Sequence, residues 1–189
     1  MRRPMVVLVA ATAATLCAGA LVVGWLFGWG NRSLDAETAH IAAAQDVKVG
    51  VPTIVSPEQL KELAGVRYPL YWAGDRPGTQ LELTVTARNG VFVRYLPASV
   101  SAGAPGKYLT IATYESIDGY DALRGASKRG ADVGMAKSGA VIAVFKSRPL
   151  STYFSFPSAS FQVEVYSPRP GESERLTDDG DVQLLGTTS

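Results

Sequence analysis

From Met5 to Phe27 the chain carries no charged residue, a 23-residue run long enough for a helix rising 1.5 Å per residue to cross about 30 Å of hydrocarbon. This run limits everything else, because inside lipid only a structure that satisfies its own backbone hydrogen bonds can stand. Arg2 and Arg3 precede it, which favours a cytoplasmic N-terminus and puts the rest of the chain outside. Trp25, Phe27 and Trp29 fall where the helix would meet the outer headgroups. The expected organisation is a cytoplasmic end (residues 1–4), a transmembrane helix (5–29) whose first partner is the lipid bilayer, a juxtamembrane stalk (30–50), an extracytoplasmic domain (51–167) and a polar C-terminal tail (168–189).

A cleaved signal peptide is the rival reading, since Ala18-Gly19-Ala20 has the form of a cleavage site. Against cleavage, the apolar run continues through Trp29 and would leave a greasy end on a soluble product. Lipid attachment at Cys17 is disfavoured by the bulky Leu16 before it. Ala20, Gly24 and Gly28 recur every four residues and give the helix one face of small side chains, a candidate contact for a homodimer. Small residues are also common in membrane helices for no such reason.

Outside the two N-terminal arginines, bases and acids nearly balance, and no run of Lys or Arg is long enough to neutralise a row of phosphates. Nucleic acid is therefore not an expected partner. The one cysteine, Cys17, lies in the apolar run, so the outer domain has no disulfide and no thiolate metal site. The one histidine, His40, lies in the stalk, which removes the commonest general base and metal ligand. No cofactor motif is present.

Within the outer part, Ser56-Pro57-Glu58-Gln59 has the pattern of a capping box with proline at the first helical position, and predicts a helix over Pro57–Ala64. Leu81–Ala87 and Val91–Leu96 read as strands around Asn89-Gly90, the strongest short hairpin signal. As a two-residue loop this would put Val85 opposite Arg94 and leave that arginine on an apolar face. Tyr108–Glu115 reads as a strand and Ser116–Ala126 as a helix. A second hairpin is expected around Lys137-Ser138-Gly139, and Phe161–Tyr166 alternates as a strand. The fold class is α+β: a mostly antiparallel sheet with short helices on one face. Val182–Leu185 is an apolar patch that could dock back as a strand.

The series Tyr68-Pro69-Leu70-Tyr71-Trp72-Ala73-Gly74, Val93-Arg94-Tyr95-Leu96-Pro97, Thr110-Ile111-Ala112-Thr113-Tyr114 and Phe161-Gln162-Val163-Glu164-Val165-Tyr166 resembles bacterial single-pass membrane-anchored proteins of uncharacterised function. That resemblance implies an envelope location and no activity.

No serine outside the membrane run sits in a Ser-x-x-Lys or Gly-x-Ser-x-Gly setting. Asp178-Asp179-Gly180-Asp181 lacks the alternate spacing and distal Glu of a calcium loop. Tyr68, Tyr71, Trp72 and Arg94 are the candidate binding residues, aromatics near a Gly-Asp-Arg-Pro-Gly turn with a cation to pair an anion. The competing reading makes the same aromatics core and has Arg94 either pair with a buried carboxylate such as Glu164 or reach outward to solvent. The expected function is a non-enzymatic binding or interaction module of the cell envelope, its partner an unidentified envelope protein or ligand. The alternatives are an accessory subunit of a membrane complex and a tethered hydrolase working through paired carboxylates.

Overall fold

Thr86 and Gly90 close a hairpin whose loop is Ala87-Arg88-Asn89, with Thr86 N–H donating to Gly90 O at 2.8 Å and Asn89 N–H to Thr86 O at 3.2 Å. In this computed structural model, which describes residues 47–64 and 69–186, the two strands of that hairpin are β3 (Thr79–Val85) and β4 (Val91–Pro97). Around them an eight-stranded sheet runs in the order β1-β3-β4-β5-β9-β8-β7-β6, and every pairing is antiparallel. The further strands are β1 (Thr53–Val55), β5 (Thr110–Glu115), β6 (Ala131–Met135), β7 (Val141–Phe145), β8 (Ser151–Ser155) and β9 (Phe161–Tyr166). A separate two-stranded ladder joins β2 (Tyr71–Trp72) to β10 (Gln183–Leu184).

The expected register of the first hairpin is wrong by three. Glu82, not Val85, stands opposite Arg94. The left-handed residue of the loop is Asn89, φ 57°, so the connection has three residues, and Asn89-Gly90 is not its two-residue centre. Gly90 is needed for another reason: a Cβ there would lie 2.9 Å from Thr86 Oγ1. The second hairpin repeats the geometry at Lys137-Ser138-Gly139, with Gly139 at φ 83° and Ala136 N–H bonded to Ala140 O.

Helices cover both faces of the sheet, which corrects the expectation of one. On the first face lie α1 (Pro57–Ala64) and α3 (Glu172–Asp178), with Leu60 and Leu176 packed on Leu83, Val93, Ile111, Val163, Val165 and Phe154. The capping box forms as expected: Gln59 N–H donates to Ser56 Oγ at 3.2 Å, and Ser56 N–H to Gln59 Oε1 at 2.9 Å. On the second face α2 (Gly119–Arg124) and a following 3-10 turn (Gly125–Arg129) bring Leu123 and Ala126 onto Ala131, Val141, Ala143 and Tyr153. Burial of a leucine such as Leu60 or Leu123 contributes roughly 1.5–3 kcal/mol. Residues 168–186 are not a loose tail: Leu176 and Leu185 belong to the first core, and the patch at Val182–Leu185 docks as β10.

The sheet has two ends. At the proximal end Gly50 N–H bonds Val85 O, so the chain reaches the domain there, beside the loops at Asn89, Ser138 and residues 156–160. At the distal end lie residues 98–109, the 3-10 turn and the β7–β8 connection. Among the described residues no helix is long and apolar enough to cross a membrane. The run 5–29, residues 30–46 of the stalk, Ala20, Gly24, Gly28 and Tyr68 lie outside the described residues.

Candidate functional site

Tyr71 and Trp72 form β2 and are both buried. Tyr71 meets the Phe154 ring edge-on at 5.4 Å and the Phe161 ring at 5.7 Å, and burial pushes its phenol up to about 12. Trp72 carries Lys61 Nζ 5.4 Å above its ring and is backed by Gln183 across the small ladder. Arg94 faces the other side of the sheet. The structure therefore does not bring Tyr71, Trp72 and Arg94 into one surface.

Arg94 is occupied. Its Nη1 donates to Glu82 Oε1 at 2.7 Å, its Nη2 to Ala104 O at 2.8 Å, and its guanidinium lies 5.1 Å from the Tyr108 ring. Glu82 has no solvent exposure and uses its second oxygen to accept Gly103 N–H at 2.6 Å. Gln80 Nε2 adds bonds to Pro97 O and Val100 O. Together these side chains pin residues 98–109 down over the second face. A charge pair desolvated to this degree is a fastening whose lone pairs and protons are already used.

Next to it on the same face stands Glu164, the residue opposite Ala112 and Tyr153. Its Oε1 accepts from Ser151 Oγ at 2.8 Å and Tyr153 OH at 2.9 Å, and its Oε2 accepts from Tyr114 OH at 3.1 Å. Burial, reinforced by the Glu164 charge, raises the Tyr114 phenol. Burial also raises Tyr153. Both hydroxyls stay protonated near neutral pH, so they serve as donors and not as bases or nucleophiles.

Tyr153 also accepts from Arg148 Nη1 at 3.0 Å, which aims an exposed guanidinium across a cleft of about 240 Å³ lined by Phe145, Ser147, Arg148 and Tyr153. The Phe145 ring is edge-on to Tyr153 at 5.5 Å and lies 5.9 Å from the guanidinium of Arg129. Lys146 N–H bonds Gly130 O, so Lys128-Arg129 and Lys146-Arg148, separate in sequence, share one corner of the distal end. None of these four cations forms an ion pair with a carboxylate among the described residues. Such a corner can hold an anionic group, with Arg148 oriented by Tyr153 and the lysines adding field.

A larger cleft of about 520 Å³ runs between the start of α1 and residues 75–81. Its one guanidinium, Arg76, is committed to Glu172 at 2.6 Å and lies 5.9 Å from the Tyr95 ring, which leaves that cleft the weaker candidate. Asp179 and Asp181 are both held by Arg175, at 3.2 and 3.1 Å. Among the described residues no group of three His, Cys, Asp or Glu is arranged to hold a metal ion.

Sequence reasoning passed over Arg148, Tyr153 and Ser151. The available signal was the pair of basic doublets flanking one hairpin, which antiparallel pairing of β6 with β7 must bring together. No family model, no curated protein and no solved structure matches the chain.

Proposed function

We propose that this chain is a membrane-tethered, non-enzymatic binding module of the cell envelope, anchored by residues 5–29, and that it recognises an anionic group on an envelope partner at the Arg148–Tyr153 cleft. The observation that carries the reading is Arg148: an exposed guanidinium oriented by a hydrogen bond to Tyr153, with three further cations at the same corner and no carboxylate among the described residues paired to them. The fully buried carboxylate Glu82 and the partly buried Glu164 and Glu172 are each occupied by separate donors, an arrangement suited to holding the fold and not to the paired acid and base of a hydrolase.

Cross-linking in intact membranes with the full-length chain tests this. Arg148→Ala combined with Lys146→Ala is expected to lose the specific partner while the melting temperature stays unchanged, because both residues are exposed. Capture of the same partner by a folded double variant would remove the cleft as the recognition site.

A further inference from the structure

Six large apolar side chains are exposed among the described residues: Val49, Val51, Ile54, Ile117, Val133 and Met135. Four of them sit at the proximal end of the sheet. Val49 and Val51 flank Gly50, whose N–H bonds Val85 O at the last residue of β3. Ile117, 90% exposed, follows directly on β5, where Glu115 pairs with Phe161 and Ser116 N–H bonds Ser160 O. Met135, 59% exposed, is the last residue of β6, opposite Val141. The distal end carries none of the six, and holds the basic corner instead.

The proximal end is also where the chain arrives from the N-terminal side. Residues 30–46 are all that separates it from the apolar run, a length of chain that reaches at most about 60 Å. A tether of that reach makes contact between domain and bilayer effectively intramolecular, so a shallow apolar rim suffices where a free protein would need a large patch. Lys48, Arg88 and Lys137 stand on the same rim and can extend along it with their charges among the headgroups. Glu115 and Asp118 are there too, which favours an apolar footing at the membrane interface over simple attraction to anionic lipid.

We infer that the proximal end of the domain rests on the outer surface of the bilayer, with Ile117, Met135, Val49 and Val51 entering the interface and the Arg148 cleft turned away from it. This rests on the tether proposed above, and its test separates the two. In full-length chain made Cys17→Ser, a single environment-sensitive fluorophore is attached at Ile117→Cys or, as control, at Ser147→Cys on the distal end, and the protein is reconstituted in phosphatidylcholine vesicles with or without a quencher-bearing lipid. Both positions are exposed, so labelling leaves the core intact, which matching melting curves verify. The expected result is a blue-shifted emission at position 117 that lipid quenches, and a water-like, unquenched signal at 147. Equal quenching at both positions, or none at 117 in protein that stays with the vesicles through an alkaline wash, overturns the footing while the tether stands. Release of the chain by that wash overturns both.

Discussion

A carboxylate stripped of water costs several kcal/mol unless its partners are close and complete, and Glu82 meets that condition with Arg94 on one oxygen and Gly103 N–H on the other. Removing one partner leaves the other charge stranded. Arg94→Ala is therefore expected to destabilise the domain by about 3–5 kcal/mol in urea unfolding, and the double change Glu82→Leu, Arg94→Met to recover most of the loss. A cost under about 1 kcal/mol for Arg94→Ala would mean that the pair is hydrated after all. The kind of partner Arg94 has was legible in the sequence, but its identity was not. A buried carboxylate was one of two structural expectations, with Glu164 as the example, and a guanidinium reaching out to solvent was the other. A correct register selects Glu82, and Glu164 binds three hydroxyls instead. Tyr71 and Trp72 follow the reading that made them core, because nine-tenths of their surface or more is covered.

At the level of elements, the β3–β4 and β6–β7 hairpins each use a three-residue loop closed by a left-handed residue, Asn89 in one and Gly139 in the other. Asn89→Gly should leave stability within about 0.5 kcal/mol or raise it, whereas Asn89→Val should cost about 1–2 kcal/mol, since a β-branched residue is strained at positive φ. Thermal melts of the two variants check the sign. Equal effects would argue that the loop can relax to another turn. The loop at Gly139 was legible because glycine itself takes the left-handed position. The loop at Asn89 misled because the glycine after it serves close approach to Thr86, a contact with no mark in sequence. Strand β8 escaped notice for a related reason. Ser151–Ser155 is buried throughout, covered by α3 on one face and α2 on the other, so polar and apolar residues do not alternate by exposure. Thr152 accordingly makes its hydrogen bond to Ser173 of α3.

At the scale of the whole described domain, the eight-stranded sheet is two meanders, β3-β4-β5 and β6-β7-β8-β9, that share one ladder between β5 and β9, with β1 added at the outer side of β3. An antiparallel α+β domain was readable from hairpins and alternation. This arrangement was not, because nothing local says that the connection through α2 carries the chain to the far edge before it returns. The same connection lets one sheet support two cores and opposite ends of different character, with apolar tips where the chain arrives and cations where it turns back. The shared ladder also sets an order of events. Hairpin contacts close over a few residues, but Tyr114 and Glu164 meet across fifty, so joining the meanders carries the largest loop-closure entropy of any ladder in the eight-stranded sheet and should be the slow step of its folding. Val163→Ala in that seam is expected to slow refolding, and Val141→Ala in β7 chiefly to speed unfolding, in stopped-flow experiments. The reverse pattern would place the nucleus within the second meander. If the seam closes last, a freshly made chain passes through a stage with β5 and β9 both unpaired along one side, and the interval before they meet is when the protein is most exposed to pairing with a neighbour.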